Sequence, residues 1–119
     1  MRDLAPQVFR QRLLMEAIFT RPVDEEAVRQ YLGGLAQALG LRAYGQPLVH
    51  SPAGQGCPGN QGYDAFLHLV DSGIAAYVWS QARLVSVVVY SCKAFDPARA
   101  AAFTGKFFVA AGEVQTREF

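Results

Sequence analysis

Residues 84–91, Leu-Val-Ser-Val-Val-Val-Tyr-Ser, form the clearest strand in the chain. β-Branched and aromatic side chains in such a run suit a pleated, half-buried surface. A strand of this kind requires neighbours, and the chain offers several. Residues 12–19 (Arg-Leu-Leu-Met-Glu-Ala-Ile-Phe) read as a first strand, ended by Thr20-Arg21-Pro22. Leu41–His50 reads as a second strand. Tyr63–Asp71 and Gly73–Trp79 read as two more, meeting near Ser72, and Ser80–Arg83 turns the chain into the run at 84–91. Glu113–Phe119 is a short candidate for the last.

Two helices interrupt this pattern. Asp24 is a good N-cap, because its carboxylate can accept the free N–H groups of the next turn. Glu25 and Glu26 suit the positive end of the helix dipole. Val28, Tyr31, Leu32, Leu35 and Leu39 then recur at helical spacing, and Gly40 stops the helix. Gly33-Gly34 weakens it intrinsically, so packing must hold it. Asp96-Pro97 starts the second helix, with a capping carboxylate and proline at the first helical position. The alanine-rich run from Ala98 carries it toward Phe107.

The order is β-α-β, a hairpin or meander, then α-β. It predicts an α+β fold: a two-layer sandwich, mostly antiparallel, with two helices on one face of the sheet. With 119 residues the chain makes one domain, 1–119, with a single core. The uncovered face would be partly apolar, and a homodimer is the simplest way to cover it.

Composition removes several classes of function. Hydrophobic residues make up 51% and charged residues 18%, the balance of a packed domain rather than a disordered one. A net charge of +1 with dispersed arginines leaves no footprint for nucleic acid. No apolar run is long enough to span a bilayer, and the first ten residues do not read as a signal peptide. A cytoplasmic location is the expectation. Cys57, Cys92, His50 and His68 lack zinc-type pairing, so no metal site is expected. The segment 51–62 is a loop by composition, and its glycines are not a P-loop because no Lys-Ser or Lys-Thr follows. It reads as a flap, with Asn60 and Tyr63 as its polar groups of interest.

Taken singly, the remaining residues have bland readings. Ser72 can be a turn hydroxyl, and Cys92 a buried thiol acting as a small hydrophobe. Tyr77 and Trp79 alternate along one strand and suit packing. Phe66 and Tyr90 suit the core or a stacking surface beside a ligand ring. His68 lies four residues before Ser72, so on one regular strand both would share a face.

Taken together, the pieces resemble the prokaryotic S-adenosylmethionine decarboxylases. An acidic residue, Asp71, precedes Ser72; Cys92 follows twenty positions later; and Tyr-Ser-Cys leads into the Asp-Pro helix start. Only the stretch from Ser72 to Pro97 is specific, although the order of elements agrees over most of the chain. The resemblance implies self-cleavage between Asp71 and Ser72, which turns Ser72 into a pyruvoyl cofactor. It implies Cys92 as the acid that reprotonates the product carbon. It further implies a role in polyamine (spermidine) biosynthesis, with S-adenosylmethionine as substrate.

Two positions depart from the family. Its histidine, five residues after the serine, is Tyr77 here, and a tyrosine titrating near pH ~10 is a poor base. Its second serine, eight residues before the first, is Asp64 here. Asp71, Ser72, Cys92, Tyr77 and Asp64 are therefore the candidate catalytic residues. Two further readings stay open. One is a pyruvoyl decarboxylase of a basic amino acid, arginine or ornithine. The other is an unprocessed homologue that binds a small molecule or a partner subunit.

Overall fold

The structure is a computed structural model that describes residues 1–52, 54–56 and 61–119. Cys57 and Asn60, singled out above, lie outside the described residues. Among those described are six strands and two helices. They are β1 (Gln11–Ile18), α1 (Glu25–Ala38), β2 (Leu48–His50), β3 (Tyr63–Leu69), β4 (Ser72–Trp79), β5 (Leu84–Ser91), α2 (Pro97–Phe108) and β6 (Gln115–Glu118). The strands form one antiparallel sheet in the order β2-β3-β4-β5-β1-β6. The predicted α+β sandwich is the observed fold.

Period-two alternation decides which face each strand buries. Leu13, Met15 and Ala17 of β1, Leu67 and Leu69 of β3, Ile74, Ala76 and Val78 of β4, and Val85, Val87 and Val89 of β5 are all buried beneath the helices. The helices form where the caps predict. The Ala27 N–H donates to Asp24 Oδ1 at 2.8 Å and the Ala98 N–H to Asp96 Oδ1 at 2.9 Å, each cap contributing about 1 kcal/mol. Gly40 adopts φ +69° just past α1, the left-handed stop expected of it.

The glycine pair in α1 proves partly a packing device. A Cβ on Gly34 would lie 2.6 Å from Phe103 Cζ of α2, so the missing side chain lets the helices close on each other. Beneath that contact Tyr31 is fully buried, with ring centroids 5.9, 5.4 and 4.6 Å from Phe103, Phe107 and Phe108.

The first strand sits one residue earlier than expected, and three other boundaries differ by more. The second strand is only Leu48–His50, not Leu41–His50. The Leu41 N–H donates back to Ala36 O at the helix end, and from 41 to 47 only Ala43 bridges, to Leu69. Gly45 and Pro47 break the rest, proline by having no N–H to offer. The strand from Tyr63 ends at Leu69, and β4 begins at Ser72, with Val70-Asp71 as the turn. The last strand is Gln115–Glu118, an exposed edge on β1.

The opposite face carries exposed Ile18, Leu48, Phe66, Tyr77 and Tyr90. No helix in the described residues is long and apolar enough to cross a membrane.

Candidate functional site

The turn between β3 and β4 is tight. Leu69 pairs with Ser72, leaving Val70 and Asp71 to reverse the chain. Asp71 takes φ +52°, a left-handed conformation that aspartate tolerates better than most residues. The Val70 N–H is anchored on Arg42 O at 2.8 Å. A backbone held in this sparsely populated region therefore leads directly into Ser72.

This hairpin corrects the expectation for His68. Residues paired across a hairpin point to the same face, so Ser72 shares the helix-facing side with Leu69. His68 pairs with Gly73 and points the other way. The two side chains are not on one strand and do not share a face.

Ser72 also pairs with Ser91, at the far end of β5. Ser91 is fully buried. The Ser72 hydroxyl donates to Ser91 Oγ at 3.2 Å, and the Cys92 backbone N–H donates to Ser72 Oγ at 3.4 Å. Ser91 Oγ in turn donates to Lys93 O at 2.6 Å and accepts from the Lys93 N–H at 2.9 Å. The twenty-residue spacing thus becomes a direct contact, carried by the backbone amide of half-buried Cys92.

Two hollows meet at this turn, and Asp71 lines both. One, of about 310 Å³, is lined by Asp71 and Cys92 with Gly40, Leu41, Arg42, Val70 and Lys93. The other, of about 420 Å³, opens on the bare sheet face, where Asp71 and Ser72 meet Phe66, His68 and Tyr90. The Phe66 ring covers Gly73, where a Cβ would lie 2.7 Å from Phe66 Cζ. A wider hollow of about 600 Å³, lined by Arg21, Phe103, Lys106, Phe107 and Val109, shares no residue with the turn. Arg21 follows the end of β1 that pairs with Leu84, the far end of the sheet from Ser72, so its size does not bear on Ser72.

Tyr77 and Asp64 come together, but elsewhere. They are direct partners between β3 and β4, on the face opposite the buried residues. Tyr77 stands five positions beyond Ser72 on β4, roughly 16 Å at the usual rise. Tyr63 and Trp79 lie at the same far end of the hairpin, and His50 sits opposite Asp64 on the edge strand. The turn therefore gathers Asp71, Ser72 and Cys92 and leaves Tyr77 and Asp64 apart. Among the described residues no three His, Cys, Asp or Glu side chains converge as metal ligands do.

Three residues of this neighbourhood escaped the sequence reading: Arg42, Ser91 and Lys93. A signal existed for Ser91. It continues the stripe Val85, Val87, Val89, so a hydroxyl occupies the next position on an apolar face.

Comparison with known proteins gives the family and the fold. Residues 15–119 match the family model described as S-adenosylmethionine decarboxylase. The chain belongs to the S-adenosylmethionine decarboxylase family. The fold is also that of the adenosylmethionine decarboxylase from Aquifex aeolicus VF5 in its crystal structure, with a TM-score of 0.66. That match has 17% sequence identity and covers 94% of this chain and 89% of the other. No curated protein matches the chain. At 17% identity to that structure, this is a divergent member of the S-adenosylmethionine decarboxylase family.

Proposed function

We propose that this chain is a pyruvoyl-dependent decarboxylase that matures by self-cleavage between Asp71 and Ser72. Its substrate is S-adenosylmethionine, and its product feeds polyamine synthesis. The observation that carries this reading is the Ser72 hydroxyl, held at a left-handed Asp71 link beside Cys92. In the first step Ser72 Oγ bonds to the Asp71 carbonyl carbon and the Asp71–Ser72 C–N bond breaks. An ester and a free Ser72 amine result. Loss of the Ser72 Cα proton then expels the Asp71 carboxylate, and water releases ammonia from what remains.

The residues at the turn suit such a group. Asp71 borders a hollow on each side, and Cys92 lines one of them. A pyruvoyl group supplies an electron sink for the carbanion that decarboxylation leaves. Cys92 is the acid that returns a proton to that carbon. Arg42 and Lys93 line the same hollow as Cys92 and bring positive charge to the wall facing the substrate. The exposed aromatic face of the sheet is the surface on which two copies of this chain pair in the cytoplasm.

One observation favours a second reading. Tyr77 stands where the resemblance puts the family's histidine, and a tyrosine titrating near pH ~10 is a poor base for removing the Ser72 Cα proton. On that basis the chain is an unprocessed homologue that binds a small molecule or a partner subunit. Intact-mass measurement separates the two. Self-cleavage gives fragments 1–71 and 72–119, the second with a blocked, carbonyl-bearing start that borohydride reduces. Full-length chain alone after prolonged incubation overturns the decarboxylase. Carbon dioxide release from S-adenosylmethionine, arginine and ornithine then fixes the substrate.

A further inference from the structure

We propose that Ser91 is the positioning residue for self-cleavage, holding the Ser72 hydroxyl for attack on the Asp71 carbonyl. The inference rests on the decarboxylase reading and adds the residue that aims its first step. The hydrogen-bond inventory of the two serines carries it. A serine hydroxyl has one proton and two lone pairs. Ser91 uses all three: its proton goes to Lys93 O, and its lone pairs take the Lys93 N–H and the Ser72 proton. It has no freedom to rotate. The Ser72 proton is consequently fixed toward Ser91, and one Ser72 lone pair is fixed by the Cys92 N–H. One lone pair remains to act as nucleophile.

Burial sharpens the point. A hydroxyl removed from water costs free energy unless fully bonded, and a valine would continue the β5 stripe with no such demand. The hydroxyl at position 91 also serves where Asp64 does not, because Asp64 stands beside Tyr77 at the other end of the hairpin. As the Oγ–C bond forms and the C–N bond breaks, Ser72 Oγ gives up its proton. The departing Ser72 nitrogen gains one, so the step needs no co-reactant and is neutral overall.

The test compares the full chain with Ser91→Ala and Ser91→Thr by intact mass, with and without hydroxylamine. Hydroxylamine cuts the ester and leaves an unblocked Ser72, so it reads the first step separately from cofactor formation. Thermal unfolding of each variant monitors folding. The expected result is cleavage about 10- to 100-fold slower in Ser91→Ala in both conditions, the cost of one hydrogen bond lost from the transition state. Ser91→Thr restores the rate. Equal cleavage in Ser91→Ala overturns the role of Ser91 and leaves the decarboxylase intact. A loss that threonine does not restore, with both variants destabilised, assigns Ser91 to packing and also overturns it. Wild-type chain cut only with hydroxylamine, and Ser91→Ala not cut, upholds Ser91 while overturning the pyruvoyl cofactor. Wild-type chain cut in neither condition overturns both.

Discussion

Thr104 and Ser91 are the two buried polar residues in the described core, and each sits in a short chain of hydroxyls. Thr104 lies 3.7 Å from Met15 Sδ and shares a 2.8 Å hydrogen bond with Tyr31, in which either hydroxyl can donate. That chain ends on a thioether and is sealed by Phe103, Phe107 and Phe108. Burial drives the Tyr31 hydroxyl above its ordinary titration range, and the Thr104 bond opposes that shift without cancelling it. The chain from Ser72 through Ser91 to Lys93 O has the same chemistry in a different place. It lies where strands end, beside a left-handed aspartate, with hollows on both sides of the turn. Two sets of hydroxyls are satisfied, but only one leaves an oxygen lone pair beside the Asp71–Ser72 peptide link and the Cys92 backbone amide. Placement, not the hydrogen bond itself, separates a structural hydroxyl from a reactive one.

The largest expected effect tests that separation directly. Ser72→Ala abolishes cleavage at residue 71, and the intact chain is the only species in the mass spectrum. Tyr31→Phe, which removes a hydroxyl just as surely, leaves the cleavage rate unchanged. Cleavage that survives Ser72→Ala means another group breaks the link, and the contrast fails.

Thr104→Val asks the converse question. It keeps the shape but strands the Tyr31 hydroxyl without a partner, at a cost of about 1–3 kcal/mol. The shift in denaturant midpoint measures it, and the cleavage rate stays the same once the protein is folded. A change in cleavage with Thr104→Val would mean that the two hydroxyl chains communicate across the sheet.

pH sharpens the comparison further. Because the folded-state value of Tyr31 is raised, its contribution is fully present below the unfolded value near ~10 and is lost above it. Stability therefore falls as pH rises past ~10, by up to ~1.4 kcal/mol per pH unit. Tyr31→Phe removes that slope in alkaline urea titrations. A slope that persists in the variant assigns the loss to other groups.

Much of this architecture was open to reading from the residues alone, for local reasons. The cap at Asp24, the Asp96-Pro97 start and the valine stripe at 85–89 each act within a few positions, and each formed where expected. The site was legible as far as the pairing of Ser72 with Cys92, because their spacing survives as neighbouring strand ends. What escaped depends on the turn. Two residues, Val70 and Asp71, reverse the chain, and a reversal of that length inverts which side chains share a face. Counting along one strand put His68 with Ser72; pairing across the hairpin separates them. The same register carries Tyr77 and Asp64 to the far end of the hairpin. Gly34 was read as a weakness because its partner, Phe103, is 69 residues away in sequence.

The smallest expected effect concerns backbone strain, which the two ends of the molecule also share. Val109 closes α2 at φ 49° and ψ 60°, a left-handed conformation that costs a β-branched residue about 1–2 kcal/mol. Its N–H reaches Gly105 O and Lys106 O, and its carbonyl accepts from Thr20 Oγ1, so the backbone is held there by its neighbours. The side chain is exposed and contributes little packing. Val109→Gly relieves the strain, and the greater freedom of glycine in the unfolded chain takes back about half of the gain. The net stabilisation is about 1 kcal/mol, a rise in melting temperature of about 4–8 °C for a domain near this size. Asp71→Gly relieves less, because aspartate already tolerates its conformation. A gain at position 71 larger than at 109 would mean that Asp71 is under more strain than its residue type implies, and that this strain, rather than Ser91, primes the link for cleavage.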